Sequence, residues 1–248
     1  MRAIITYHSL DSSGSPISLT PTSFKRHVDW LSAGKVHVMG VKELTALSDE
    51  VDAVALTFDD GFTNIAEEAL PLLHDRGFPA TVFIVTGHVG GDNRWRGRDD
   101  PGIPVLPLLD WDRLGRIRES GVILAAHTRT HPILTELGAT ALEDELWQAA
   151  DEMQKRLGER PEGFAYPYGA MDTRVASATE RCYGWACTTE LRSLCVQDSL
   201  FRLPRLDAGY FSGPTGLARW GEPEFRARIW YRRQLRRARS AARRLRHA

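Results

Sequence analysis

Short apolar runs of strand length alternate with longer amphipathic stretches along most of the chain. The runs are Ala3 to Tyr7, Val36 to Met39, Ala53 to Phe58, Thr81 to Val85, Val122 to Ala126, Gly163 to Tyr166 and Trp185 to Thr188. Turn residues bound most of them, which predicts buried strands. Helical patterns fill the gaps. Thr20-Pro21 joins an N-cap to a first-turn proline, and Thr140-Ala141-Leu142-Glu143 has capping-box spacing ahead of an amphipathic run to Leu157. Asn64 to Arg76, Trp111 to Glu119 and Asp172 to Tyr183 predict further helices, with Gly77 and Gly184 as stops. Strands alternating with helices over about seven units predict an α/β fold whose mainly parallel sheet approaches a barrel. Gly87 to Leu109, rich in Gly, Pro, Arg and Asp, reads as a long insertion that walls a substrate groove.

In a barrel of this kind chemistry collects at the C-terminal ends of the strands. His8, the pair Asp59-Asp60, His127 and Tyr168 all fall there. Leu56-Thr57-Phe58-Asp59-Asp60-Gly61 ends an apolar run in two carboxylates and a glycine turn. Neighbouring carboxylates at a strand mouth can divide labour, one binding a cation while the other handles a proton. Alone, Asp-Asp-Gly is ordinarily a turn. His127-Thr128-Arg129-Thr130-His131 changes that balance, because it follows another apolar run and its two imidazoles can reach one ion. Two imidazoles and one carboxylate leave open positions for water and substrate, the pattern of a catalytic zinc or similar divalent metal.

Three segments together resemble a known family, the polysaccharide deacetylases of the NodB-homology type, or carbohydrate esterase family 4. They are Thr57-Phe58-Asp59-Asp60-Gly61, His127-Thr128-Arg129-Thr130-His131 and Phe164-Ala165-Tyr166-Pro167-Tyr168-Gly169, in the family's order. The resemblance spans about residues 3 to 210 and implies a distorted (β/α)7, TIM-barrel-like fold. It implies Asp59 as general base, and Asp60, His127 and His131 as ligands of one divalent metal, zinc first, with Co2+, Ni2+ or Fe2+ as alternatives. It also implies that Tyr168 offers its backbone N–H to the oxyanion.

Two departures from the family pattern stand out. The late Leu-x-His motif that carries the general acid is absent, and the matching stretch reads Phe201-Arg202-Leu203-Pro204-Arg205-Leu206. A circularly permuted branch acting on exopolysaccharides carries the histidine in a Tyr-His motif on the first strand, and Tyr7-His8 resembles it. His8 is therefore assigned as general acid, with Asp207 one candidate to orient it. The third motif has Ala165 where the family's arginine orients the catalytic aspartate, and Arg205 is the candidate replacement. His27, His37, His74, His88 and His247 read as ordinary structural residues. Trp95, Trp111, Trp185 and Tyr210 are candidates to stack on sugar rings, Trp95 foremost because it lies in the polar insertion.

Charge is balanced overall but not along the chain. All 32 acidic residues precede residue 225, while ten arginines and no acid lie from Arg226 to Arg246. Ser212-Gly213-Pro214-Thr215-Gly216 ends the catalytic domain, giving 1–212 as catalytic and 213–248 as linker plus Arg-rich amphipathic helix. Tyr231, Leu235, Ala238, Ala242 and Leu245 form its apolar stripe. Such a helix suits an anionic membrane surface or an acidic partner, and equally suits packing along the acidic domain. Nucleic acid ranks lower, since no recognition motif accompanies the arginines. Cys182, Cys187 and Cys195 read as reduced and structural. With no signal-peptide core and no bilayer-length apolar run, the expected location is cytoplasmic, peripheral at the inner membrane face if the tail binds lipid. The expected activity is metal-dependent removal of N-acetyl groups from a polysaccharide, oligosaccharide or lipid-linked glycan. Hydrolysis of an O-acetyl ester or non-sugar amide, and non-catalytic glycan binding, are the alternatives.

Overall fold

The computed structural model describes residues 1–97 and 100–246. The chain opens with β1 (Arg2–Tyr7), β2 (Ser9–Leu10), β3 (Ser18–Leu19), α1 (Pro21–Ser32), β4 (His37–Val38), α2 (Val41–Thr45) and β5 (Ala53–Phe58). A π-helical turn at Ile65–Ala69, α3 (Leu70–His74), β6 (Ala80–Ile84), α4 (Trp111–Glu119) and β7 (Ile123–Ala126) follow. Then come α5 (Ala139–Leu157), β8 (Gly163–Ala165), α6 (Thr173–Glu180), β9 (Trp185–Cys187), β10 (Arg205–Asp207) and α7 (Pro223–Arg246). Seven strands form the wall in the order β10-β1-β5-β6-β7-β8-β9, all parallel, and β4 adds to β5 off this path. A parallel bridge between Cys187 and Leu203 brings the two ends together. The result is a nearly closed, distorted (β/α)7 barrel.

Alternation along the strands sorts side chains between the barrel interior and the helix layer. Ile4, Ala55, Phe83, Ala125 and Ala165 belong to the inner cluster, while Ile5, Leu56, Val82, Ala126 and Phe164 pack under the helices. The same parity, continued upward by two or four residues, carries His8, Asp59 and His127 to the inside of the upper mouth. Inner Ala55, Ala125 and Ala165 are small, which leaves room for the Phe83 ring and for Arg205, whose guanidinium carbon lies 5.5 Å from that ring.

Several sequence expectations are corrected. Val36 to Met39 contributes only the two-residue β4, off the main sheet path, and the seventh wall strand is the unpredicted β10. Arg205-Leu206-Asp207 escaped notice because its two inward positions are charged, so it lacks the apolar signature of a strand. The capping box at Thr140 does not form: α5 starts at Ala139 after Gly138, which places Thr140 inside the first turn. The helix expected over 64–76 is split, with a π turn preceding α3 and Pro71 near the latter's start. Gly77 has a positive φ of 63°, but α6 ends at Glu180 with Arg181 as C-cap, short of Gly184. Thr20 does cap α1, its hydroxyl accepting from the Ser23 N–H at 3.2 Å.

After β10 the chain descends along the barrel to its lower end. There the Trp220 indole N–H donates to the Met1 carbonyl at 3.0 Å. The helix α7 then climbs back, burying Phe225 and Ile229. No helix among the described residues is long and apolar enough to cross a membrane. Cys182, Cys187 and Cys195 are all free thiols. His247 lies outside the described residues, as do the side chains of Ala242 and Leu245.

Candidate metal centre and active site

The upper mouth of the barrel concentrates backbone strain. Non-glycine residues with positive φ among the described residues are Asp60 (71°), Thr128 (66°), His131 (60°), Tyr168 (59°) and Arg219. The first four belong to the three sequence motifs. Each such residue costs on the order of 1–3 kcal/mol, a cost that persists where surrounding contacts over-determine the conformation and that clusters at functional sites.

Asp60, His127 and His131 are buried and converge, their candidate ligand atoms lying within 4.8 Å of one another. Asp60 Oδ1 sits 3.5 Å from His127 Nε2 and 3.5 Å from His131 Nε2. That oxygen is buried without a hydrogen-bond partner among the described residues. Each imidazole is oriented through its other nitrogen. His127 Nδ1–H donates to the Ala165 carbonyl at 2.7 Å, which leaves Nε2 as a bare lone pair facing Asp60. His131 Nδ1 is 3.1 Å from the Tyr168 hydroxyl, and donation from Nδ1 leaves its Nε2 bare in the same way. Burial lowers the pKa of His127, although Asp59 and Asp60 oppose it. Burial, aided by His127, pushes His131 well below the usual imidazole value. Asp60 is raised by burial despite the nearby His8 and His127. Two neutral imidazoles and a carboxylate oxygen with no other partner fit one divalent cation.

Asp59 has a different environment. Arg205 Nη1 and Nη2 donate to Asp59 Oδ1 and Oδ2 at 2.6 and 2.8 Å, and Arg205 Nε donates to the Thr188 carbonyl at 2.9 Å. Burial alone would raise the Asp59 carboxyl, but Arg205, then His8 and His127, outweigh it and hold it well below the usual carboxylate range. On the Arg205 side burial also opposes the charge, and Asp59 prevails, leaving the guanidinium pKa raised. The guanidinium that is absent at Ala165 thus reaches Asp59 from β10. His8 Nε2 is 3.6 Å from Asp59 Oδ2, with the His8 side chain 28% exposed at the mouth. Asp207, the candidate to orient it, accepts from the Gly209 N–H at 3.0 Å through Oδ1 and caps the turn at 208–211.

The loop that carries both histidines is held from α5. Glu145 accepts from the N–H groups of Arg129 and Thr130, each at 2.9 Å, and from the Thr130 hydroxyl at 2.6 Å. The His131 N–H donates to Thr128 Oγ1 at 2.9 Å. Sequence reasoning missed Glu145, since an acidic residue on an amphipathic helix reads as solvated surface. Trp95 is also corrected. It is 8% exposed and stacks on the His131 ring, with centroids 4.6 Å apart and planes at 29°, so the insertion backs a candidate ligand instead of presenting an open sugar platform. Trp185 is buried in the barrel, while Tyr168 is 53% exposed at the mouth.

A strained mouth with two imidazoles, one unpartnered carboxylate oxygen and a second, arginine-clamped carboxylate defines a hydrolase site suited to a single metal ion. Residues 47–183, more than half of the chain, match the family model for polysaccharide deacetylase. The chain belongs to the polysaccharide deacetylase family. It is 22% identical over 209 residues to the putative polysaccharide deacetylase YxkH of Bacillus subtilis, covering 82% of this chain and 70% of that one. It is 23% identical over 203 residues to the poly-beta-1,6-N-acetyl-D-glucosamine N-deacetylase of Staphylococcus epidermidis, covering 76% and 67%. Among solved structures, the Streptococcus pyogenes deacetylase PplD superposes with a TM-score of 0.70 at 20% identity, over 83% of this chain and 91% of that one. IcaB from Ammonifex degensii gives 0.69 at 20%, over 83% and 90%. These likenesses support the same barrel fold.

Proposed function

We propose that this deacetylase hydrolyses the acetamido group of an N-acetylated sugar within a polysaccharide or oligosaccharide, releasing acetate and leaving a free amine. The observation that carries the reading is the unequal pair at one strand mouth. Asp59 is held ionised by Arg205, and Asp60 has a buried oxygen facing two imidazoles. The curated relatives named for poly-beta-1,6-N-acetyl-D-glucosamine support an amide of an aminosugar as the substrate class.

Asp60, His127 and His131 would hold a divalent cation, zinc by the softness and number of their donors. When bound, that ion polarises the amide carbonyl and acidifies water. Asp59 takes the proton from the attacking water, and Arg205 keeps its carboxylate aimed and charged. The Tyr168 main-chain N–H donates to the developing oxyanion, and the strained φ of 59° at that residue sets its direction. His8, beside Asp59 and open to the mouth, delivers a proton to the departing amine nitrogen as the C–N bond breaks. Both partners of the Asp59–Arg205 pair are buried, which shields the pair from bulk water below the mouth.

Measuring released acetate from matched N-acetyl and O-acetyl oligosaccharides tests the reading. Acetate release from the N-acetyl substrate, abolished by chelator and restored by zinc, is expected. Release from the O-acetyl substrate alone would overturn it. His8→Ala is expected to lower turnover of the amide by about 10²-fold or more, the usual contribution of a general acid. Wild-type turnover in that variant would remove His8 from the mechanism.

A further inference from the structure

Past the barrel rim, α7 carries a surface that the hydrolytic site does not use. Its first turns are packed, with Phe225 stacked on Phe211 at a centroid distance of 5.1 Å and Ile229 buried. Higher up, Arg232 and Arg236 lie over the Tyr210 ring at 5.2 and 6.0 Å, and Arg233 pairs with Glu190. Glu190 follows Thr189, whose hydroxyl donates to the Tyr168 carbonyl at 3.5 Å, so here α7 draws level with the catalytic mouth. The helix continues to Arg246. At about 1.5 Å per residue, the turns beyond 236 extend it roughly 15 Å further in the same direction.

Trp230 and Tyr231 are 61% and 58% exposed, the largest apolar groups left open on this helix among the described residues. Ala227 and Ala238 are exposed with them. By helical periodicity these positions lie roughly opposite the buried Phe225 and Ile229. The sequence repeats the same spacing at Ala242 and Leu245, and ten arginines accompany it from Arg226 to Arg246 without one acid. The first 225 residues carry 22 bases against 32 acids, a net of minus ten.

We propose that the outer face of α7 docks on an anionic lipid bilayer and thereby holds the catalytic mouth at the membrane surface. Adjacent Trp and Tyr rings suit the headgroup region, where an apolar body and a polar tip are both accommodated. Arginines beside such a stripe extend to lipid phosphates, while their stems remain over apolar surface. The acidic body is repelled by the same lipids, so the helix is the contact and the orientation is fixed. Pairing of this helix with its copy in a second chain is opposed by the like charges on both.

The test uses the full-length chain with phosphatidylglycerol–phosphatidylcholine vesicles and with pure phosphatidylcholine vesicles. Co-sedimentation with the anionic vesicles, falling as salt rises, and weak binding to the neutral ones are expected. Trp230→Ala with Tyr231→Ala lowers the anionic partition coefficient about tenfold or more. Its circular dichroism and melting midpoint stay at wild-type values, because both rings are exposed. Equal binding to both vesicle types, or full binding by the double variant, overturns the proposal. So does failure to bind the anionic vesicles, whether the helix instead captures an acidic protein, dimerises with concentration in sedimentation, or does neither.

Discussion

Two arginines, each 1% exposed, occupy opposite ends of the same barrel interior and do different things. Arg2, at the lower end of β1, donates to the Leu44 carbonyl at 2.9 Å and pairs with Asp49, whose side chain is 44% exposed; its Nε has no hydrogen-bond partner among the described residues. Arg205, on the neighbouring strand β10, spends its Nη1, Nη2 and Nε on a buried carboxylate and a carbonyl. One plugs the floor through a partner that water already solvates. The other holds a charge that burial would otherwise neutralise. Burial of an arginine therefore marks a functional position only when what it faces is also buried and aimed at the mouth.

The larger effect is expected at Arg205. Arg205→Ala leaves the Asp59 charge buried without compensation, and such losses cost about 3–5 kcal/mol of stability. Burial then governs Asp59, whose carboxyl pKa rises. A base must be ionised to act, so the acid limb of the pH–rate profile moves to higher pH. Arg205→Lys keeps a charge but loses the two-pronged geometry, and only partial recovery of turnover is expected. An unshifted acid limb in Arg205→Ala would detach Arg205 from Asp59.

Glu145→Gln comes next, because it weakens the support of the loop without touching a candidate ligand. Metal affinity measured by chelator competition is expected to fall about 10- to 100-fold, as for other partners behind a metal ligand. Unchanged affinity would show that the loop holds its strain without α5. Arg2→Met is expected to change stability by at most about 2 kcal/mol, since Asp49 is left in water and not in the core. Turnover of the folded protein should not change. A large loss of turnover there would erase the distinction between the two ends.

The smallest expected effect concerns His27, which accepts from the Tyr7 hydroxyl at 3.1 Å through Nδ1 and donates to the Phe211 carbonyl at 2.8 Å through Nε2. Burial lowers its pKa, with the Phe211 carbonyl opposing and Arg26 assisting. Between that lowered value and the unfolded value near 6.5, the unfolded chain binds the extra proton. Its contribution to stability is therefore present above about pH 6.5 and is lost as pH falls through the folded pKa. An imidazole NMR titration should place the His27 midpoint below the free value, and a midpoint above it would reverse the sign.

Much of this arrangement was legible in the chain. Asp59-Asp60 and His127 sit where apolar runs end, and strand parity alone sends Asp59 and His127 inward from Ala55 and Ala125. What stayed hidden depends on distant pairings. The charged inner positions of β10 conceal a strand, although Arg205 itself was singled out as the substitute for an absent arginine. Glu145 acts across 15 to 16 positions through backbone N–H groups that no side-chain pattern reports. The packing of Trp95 on His131 joins an irregular insertion to a loop, where periodicity carries no information. His127 and His131 were paired by spacing, but the strained turns that aim them were not visible.

Asp59 and Asp60 have unequal roles, and metal content measured beside turnover in Asp59→Asn and Asp60→Asn tests this directly. Asp59→Asn should retain about one metal per chain, as expected for a site with a single carboxylate ligand, while losing turnover by about 10²- to 10⁴-fold. Asp60→Asn should lose both the metal and the turnover. Loss of metal in Asp59→Asn, or retained metal in Asp60→Asn, would contradict the division.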